Sequence, residues 1–232
     1  MTGTPVRVLL SRHGETAWNV EGRWQGQSDS PLTERGRQQA HVLAEALSDV
    51  PLAAVFSSDL GRARQTAAII AERHHLPVTE DARLREIDCG AWTGMLGADL
   101  TSVCPEQVAA WRDRPWTVRL PEGESLAEVR ARCQAFFDEM MPRHVGQVVS
   151  VVTHGATAQC VLSLAMGRPV EALWLKEGRL ENCQISRLTW TAAEGLQLEE
   201  YADVRHLVSV GSLQGWRVMD EAPRVSVDDP LR

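Results

Sequence analysis

Two histidines are the first candidates for chemistry, because each stands in the same local setting. His13 follows the aliphatic run 6–11, His154 follows the run 148–153, and a glycine comes directly after each histidine. Runs of this kind are typical of buried parallel strands, and ligands collect at the carboxyl ends of such strands. A single histidine at a strand end is more often structural than catalytic. Two of them, with Arg12 beside the first, favour one shared site.

Arginines after the second predicted strand could bind an anion. A predicted helix at 60–74 carries Arg62 and Arg64 in its first turns. Helix amino termini attract anions, and a guanidinium offers paired donors to phosphate oxygens. Side chains two positions apart on a helix point about 200° apart, so one arginine is expected to face the site, and spacing does not decide which. A surface pair with Asp59 or Glu72 is the alternative.

The loop 84–94 supplies two carboxylates, Glu86 and Asp88. Either could donate a proton to a leaving group if the fold brings it beside the histidines. A solvated loop carboxylate is the alternative. The sequence lacks a Walker lysine motif, a G-x-S-x-G elbow and a cluster of aspartates suited to magnesium. We therefore expect neither a metal ion nor another cofactor.

Composition excludes several classes of protein. The 232 residues include 24 basic and 31 acidic side chains, which gives a formal net charge of −7. A net acidic chain with one tyrosine and three phenylalanines lacks the basic, aromatic face typical of nucleic-acid binding. The five cysteines form no C-x-x-C pair, which favours free thiols. No segment approaches the roughly 18 apolar residues of a membrane span. We expect a cytoplasmic protein whose partners include neither nucleic acid nor a membrane.

Strands and helices are predicted to alternate along the chain. Thr33 and Ser125 stand where helix N-caps are expected, and Glu128 completes a capping box with Ser125. The alternation predicts an α/β fold in three layers, α/β/α, with a mainly parallel central sheet.

The end of the chain departs from this alternation. Two late strands, at 183–190 and 196–201, form a predicted hairpin. We interpret residues 1–219 as a single domain and residues 220–232 as a flexible tail.

Longer motifs carry a resemblance to a known family. In order along the chain they are RHGET at 12–16 with Asn19, LTERGRQQA at 32–40, SSDLGRARQT at 57–66, LREIDCG at 84–90, WTG at 92–94, GES at 123–125 and THG at 153–155. This set resembles the histidine phosphatase superfamily, the phosphoglycerate mutase-like proteins, over roughly residues 6–190. A chance match of so many ordered motifs is far rarer than that of one short pattern.

The resemblance implies roles for the candidate residues. His13 would be the nucleophile that becomes phosphohistidine, Arg12 and Arg62 would grip the phosphoryl oxygens, and His154 would complete the pocket. Glu86 would protonate the leaving oxygen.

Further positions match those that commonly contact the phosphate or the substrate in this family. They are Asn19, Gln25 and Gly26, and the glycine that follows the second histidine, Gly155, is expected to offer an N–H group. The expected partner is a small-molecule phosphomonoester. Because homodimers occur in the superfamily, a homodimer is a further expectation.

The same catalytic set serves hydrolases and mutases. This chain has Ala156 where mutases usually carry asparagine, and only residues 112–122 where mutases have a longer basic insertion. Both departures favour the phosphatase branch: a metal-independent phosphomonoester hydrolase of the histidine acid phosphatase type. A 2,3-bisphosphoglycerate-dependent phosphoglycerate mutase is the alternative, and a non-catalytic phosphate-binding protein is a third interpretation.

Four tryptophans fall in segments that the resemblance places near the pocket mouth: Trp18, Trp24, Trp92 and Trp116. One hypothesis is an aromatic wall for the organic part of a substrate. Simple packing is the favoured alternative, because most tryptophans are buried for packing.

Overall fold

A computed structural model describes residues 4–168 and 180–211 of the chain. The predicted tail and the last residues of the predicted domain lie outside these described residues. The described part contains a six-stranded sheet, and its strands in chain order are β1 (Val6–Arg12), β2 (Leu52–Ser57), β3 (Val78–Glu80), β4 (Val148–Thr153), β5 (Ile185–Thr191) and β6 (Gly195–Asp203).

The sheet has the strand order β3-β2-β4-β1-β5-β6. Pairings among β3, β2, β4 and β1 are parallel, whereas β5 runs antiparallel to both β1 and β6. The mainly parallel sheet and the late hairpin are therefore confirmed. In the register of β1 against β4, Arg12 lies opposite Thr153, so His13 and His154 leave the sheet side by side at its carboxyl edge.

Helices cover the sheet. In chain order they are α1 (Ala17–Glu21), α2 (Glu34–Ala46), α3 (Gly61–Arg73), α4 (Gly97–Val103), α5 (Pro105–Asp113), α6 (Leu126–Met140) and α7 (Gly155–Ala165). Helices α2 and α3 share one apolar core with Leu9 and Val152 of the sheet, and α6 and α7 share another with Leu10 and Val151. Because neighbouring strand residues point to opposite faces, the sheet lies between two helical layers, which confirms the three-layer prediction.

The predicted helix caps are present. The Thr33 side chain accepts a hydrogen bond from the Gly36 backbone at the start of α2. Ser125 and Glu128 form the reciprocal capping box that opens α6. Strand β4, the most apolar of the predicted strands, is buried along all six residues.

Two short helices, α1 and α4, were not predicted, because five to seven residues give little apolar periodicity. Helix α7 begins at Gly155, two residues earlier than its apolar pattern indicates. Among the described residues, no helix combines the length and apolarity needed to cross a bilayer.

Candidate active site

His13 is held at the end of β1 with a defined proton position. Its side chain is buried, and Nδ1 lies 2.7 Å from the Gly14 carbonyl oxygen. Because a carbonyl oxygen can only accept a hydrogen bond, the proton of the neutral ring resides on Nδ1, and Nε2 carries the lone pair. Burial lowers the pKa of His13 well below its ordinary value, and the charges of Arg62 and Arg12 lower it further. The ring is thus neutral at neutral pH, with its lone pair on Nε2.

Arg62 lies against that lone pair. Its guanidinium is buried at the start of α3, and Nε donates to His13 Nε2 over 3.3 Å. The other two nitrogens donate to the carbonyls of Ser28, at 2.7 Å, and Gly26, at 2.8 Å. Burial lowers the pKa of Arg62, whereas the nearby carboxylates of Glu86 and Asp29 raise it.

His154 completes a pair of imidazoles. The ring centroids of His13 and His154 are 5.1 Å apart, and His154 is fully buried. Within the described residues neither ring nitrogen of His154 has a hydrogen-bond partner. Burial lowers its pKa well below the ordinary value, and the charge of Arg62 adds to the effect.

Glu86 is anchored by the amino terminus of α7. Its Oε2 accepts from the backbone of Ala156 at 3.1 Å, and Oε1 accepts from the backbone of Thr157 at 3.1 Å and of Ile87 at 3.0 Å. Unpaired N–H groups and the helix dipole both attract a carboxylate at this position. This contact also explains the early start of α7, because Glu86 satisfies N–H groups in its first turn.

Arg12 and Glu86 both lie beside Gly155. A Cβ atom at Gly155 would lie 3.6 Å from Glu86 Oε2 and 3.7 Å from Arg12 Nε. Arg12 is tied by NH1 to the Leu180 carbonyl at 2.7 Å. The structure therefore brings together the five predicted catalytic side chains, from β1, α3, the loop after β3 and the β4–α7 junction.

Of the predicted substrate-contacting positions, Asn19 and Gln25 bind Thr16, and Gly26 contacts Arg62. The Asn19 side chain accepts from the Thr16 backbone, and the Gln25 side chain accepts from the Thr16 hydroxyl at 3.1 Å. Gly26 adopts a left-handed φ of 52°, and a Cβ there would come within 2.9 Å of Cys89. Glycine at this position lets the chain pass close to Cys89 and present its carbonyl to Arg62.

The structure decides two choices that spacing left open. Arg64 is exposed and its only ion pair within the described ranges is with Glu80, at 3.9 Å, whereas Arg62 faces His13. Asp88 turns its side chain to the backbone of Gly90, so Glu86 is the carboxylate beside the histidines.

Trp24 packs edge-on against Trp92 and Trp111, with ring centroids 5.1 and 5.8 Å apart. Trp92 is almost completely buried. These contacts favour the packing interpretation for Trp24 and Trp92, while Trp18 and Trp116 are half-buried.

Two side chains that hold the site were missed by sequence reasoning. Asn182 donates from Nδ2 to the His13 carbonyl at 2.8 Å. Arg132, on α6, donates to the carbonyls of Arg83 at 2.6 Å and Glu86 at 3.0 Å and pairs with Glu124. We call these contacts of Arg132 with Arg83, Glu86 and Glu124 the Arg132 clamp. The GES motif, which includes Glu124, was the only feature of the sequence that pointed to it.

Together these groups can transfer a phosphoryl group. A neutral imidazole nitrogen, two guanidiniums and a carboxylate lie near one another, and such cationic donors can stabilise the charge that develops on equatorial phosphoryl oxygens. Among the described residues, no group of three or more His, Cys, Asp or Glu side chains could hold a metal ion.

Comparison with known proteins agrees with this geometry. A sequence model described as "Histidine phosphatase superfamily (branch 1)" matches residues 8–204. The chain belongs to this superfamily. Members of the histidine phosphatase superfamily are phosphatases and mutases, so the chain is assigned to phosphoryl-transfer enzymes.

Individual relatives are named for both activities. A probable phosphoglycerate mutase, GpmB, of Yersinia pestis (strain Pestoides F) is 39% identical over 210 residues, which cover 87% of this chain and 95% of that protein. The structure of Bacillus stearothermophilus YhfR aligns with a TM-score of 0.83 and 33% identity, over 87% of this chain and 99% of that one. A mycobacterial glucosyl-3-phosphoglycerate phosphatase, solved with VO3, aligns with a TM-score of 0.78 and 32% identity, over 84% and 98%.

Proposed function

We propose that this protein is a metal-independent phosphomonoester hydrolase that acts on a small organic phosphate through a phosphohistidine at His13. The observation that carries the proposal is the orientation of the His13 ring. The Gly14 carbonyl accepts a hydrogen bond from Nδ1–H, so the Nε2 lone pair faces Arg62 in a buried pocket.

In the first step, Nε2 of His13 attacks phosphorus and the bond from phosphorus to the ester oxygen breaks. Arg62 transfers its Nε hydrogen bond from the ring nitrogen to a phosphoryl oxygen as substrate enters. Glu86, in its protonated form, gives its proton to the leaving oxygen, so the alcohol departs neutral. Arg12, which like Glu86 lies beside Gly155, neutralises a second phosphoryl oxygen.

In the second step, the Glu86 carboxylate takes a proton from water, and the resulting hydroxide attacks the phosphohistidine. The phosphorus–nitrogen bond breaks, inorganic phosphate leaves, and His13 regains its lone pair while Glu86 is protonated again. His154 stands 5.1 Å from the His13 ring and, as a neutral imidazole, donates one hydrogen bond to the phosphoryl group.

Hydrolysis is favoured over mutase activity by the segment 112–122. Two of its arginines are paired with carboxylates, Arg112 with Asp113 and Arg119 with Glu128. Each pair offsets one positive charge of this segment, which weakens its attraction for the second phosphate of a bisphosphate. The phosphatase name of the mycobacterial structure supports the same choice, whereas the mutase name of the Yersinia relative supports the alternative.

The test is a panel of phosphomonoesters assayed with and without 2,3-bisphosphoglycerate, with released phosphate and isomerised phosphoglycerate measured separately. We expect phosphate release from at least one ester and no stimulation by the bisphosphate. Isomerisation that exceeds phosphate release would establish the mutase instead.

A labelling experiment tests the covalent step. Brief reaction with a 32P-labelled substrate should leave a protein-bound label that survives alkali and is lost in acid. His13→Asn should lose both label and turnover, while Arg64→Ala, on the exposed face of α3, should retain both. Turnover without label in the wild type would contradict the phosphohistidine, and inert wild-type protein that binds phosphate esters would support the non-catalytic interpretation.

A further inference from the structure

One carboxylate outside the predicted site contacts both the start of α3 and the side chain of Arg62. Asp29 Oδ2 accepts from the Gly61 backbone at 2.6 Å, and Oδ1 lies 3.4 Å from the Arg62 backbone nitrogen. The same Oδ1 accepts from the Arg62 guanidinium at 3.3 Å. Asp29 thus binds the helix and the functional side chain that the helix carries.

Helix α3 has no cap of its own. Leu60 occupies the N-cap position and supplies no side-chain hydrogen bond, so the first N–H groups of α3 would lack a side-chain acceptor without Asp29. A carboxylate at this end also complements the helix dipole. Asp29 therefore replaces a sequence-local cap with one that comes from 32 residues earlier.

The guanidinium needs this partner to keep its direction. The Arg62 side chain is fully buried, while the Asp29 side chain is 48% exposed. Carbonyls of Ser28 and Gly26 hold the two terminal nitrogens, and Asp29 gives Arg62 its single carboxylate contact among residues 4–168 and 180–211. A charged acceptor orients a planar guanidinium more strongly than a neutral one.

We infer that Asp29 is a positioning residue that fixes the start of α3 and turns Nε of Arg62 toward His13. The inference rests on the proposed function, because Arg62 is the group that grips the transferring phosphoryl. Asp29 itself does not contact the reacting atoms.

A double-mutant cycle tests the inference. Asp29→Asn keeps one oxygen for the Gly61 backbone and removes the charge, so it separates positioning from capping. We expect it to lower kcat by about tenfold, the effect of weakening one charge-assisted hydrogen bond, with a smaller change in KM. In an Arg62→Ala background the same substitution should change kcat less than about twofold, because its target is absent. An equal loss in both backgrounds would overturn the inference.

Stability supplies the second readout. Asp29→Ala removes the cap and should lower Tm by about 2–4 °C, whereas Asp29→Asn, which keeps the oxygen for Gly61 and loses only the charge, should lower Tm less. The matched control is Glu80→Gln, which removes the carboxylate paired with exposed Arg64 on the same helix and should change neither kcat nor Tm. If Asp29→Asn is partly unfolded at the assay temperature, and the unfolded fraction equals the lost fraction of kcat, the positioning role is contradicted.

The cycle can be read without turnover. Calorimetric titration with inorganic phosphate measures the affinity of the same pocket. Asp29→Asn should lower the affinity for phosphate when Arg62 is present, and should leave it unchanged in the Arg62→Ala background. If no ester is hydrolysed but this coupling is present, the proposed hydrolase fails and the role of Asp29 stands. If esters are hydrolysed and the coupling is absent, the role of Asp29 fails alone.

Discussion

Arg62 donates from Nε to Nε2 of His13 over 3.3 Å, so the cation expected to bind the substrate also hydrogen-bonds the proposed nucleophilic nitrogen before substrate arrives. A proton on Nε2 would face this donor and lose the hydrogen bond. The contact therefore keeps His13 unprotonated, and an incoming phosphoryl group must displace it.

The two buried imidazoles make stability depend on pH. Burial lowers the pKa of His13 and His154 well below 6.5, so as the pH falls through 6.5 the unfolded chain takes up protons on both rings that the folded chain does not bind. The free energy of unfolding should fall by about 2.5 kcal/mol between pH 7.0 and 5.5 from these two groups. Urea unfolding at the two pH values measures the change.

The control for this prediction is His154→Gln, which removes one titrating ring. Its loss of stability between pH 7.0 and 5.5 should be smaller than that of the wild type by about 1.3 kcal/mol. Carboxylates do not confuse the comparison, because unfolded carboxyl groups bind few protons above pH 5.5. Equal losses in the two proteins would show that His154 titrates alike in both states.

Thr157 should set the orientation of the proposed acid. Its hydroxyl lies 2.7 Å from the Arg85 carbonyl and 3.1 Å from Glu86 Oε1. Thr157→Val keeps the shape and removes both contacts, so kcat should fall about tenfold, while Thr157→Ser should retain most activity. Steady-state kinetics of the two variants provide the test, and Thr101→Val on α4 is the matched control. Comparable kcat for the Val and Ser variants would exclude a role of the hydroxyl.

Arg132 should act through the loop that carries Glu86. Replacing it with Met keeps the apolar stem and removes the donors to two loop carbonyls and the ion pair with Glu124. We expect about 1.5–3 kcal/mol less stability and a fall in kcat. Urea unfolding and turnover measure these, with Arg130→Met on the same helix as control. Wild-type kcat in Arg132→Met would mean that the loop keeps its shape without the clamp.

Gly36 should resist replacement although it lies in a helix. A Cβ there would come within 2.0 Å of the Glu15 carbonyl oxygen, two residues after His13. Alanine normally stabilises a helix relative to glycine by about 1 kcal/mol, but here we expect Gly36→Ala to cost about 1–3 kcal/mol through overpacking. Urea unfolding compares it with Gln38→Ala, an exposed change on α2. A stabilised Gly36→Ala would show that the loop can withdraw freely.

The sequence predicts secondary structure best where aliphatic residues repeat along a buried strand. Aliphatic runs locate β1 and β4, and the parallel pairing then places His13 beside His154. Helical geometry alone left Arg62 and Arg64 as equals. The family resemblance favoured Arg62, and its burial beside His13 in the folded chain agrees with that choice.

Other features depend on single contacts between distant residues and leave no periodic signal. Asn182 donates a hydrogen bond to the His13 carbonyl, 169 residues away in sequence. Asp29 caps α3 although it lies 32 residues before Gly61, the first residue of that helix. Such side-chain-to-backbone hydrogen bonds are decided by the packed fold, because any polar residue at these positions fits the local sequence equally well.

The occupied amino terminus of α7 has a consequence for product release. Backbone N–H groups at such an end ordinarily form a ready anion cradle, yet here Glu86 fills it. In the proposed reaction, free phosphate is then held by side chains such as Arg62 and Arg12, and not by the N–H groups of Ala156 and Thr157. The rigid backbone anion site at the start of α7 is occupied by the proposed acid, so the product phosphate dissociates from side-chain contacts alone.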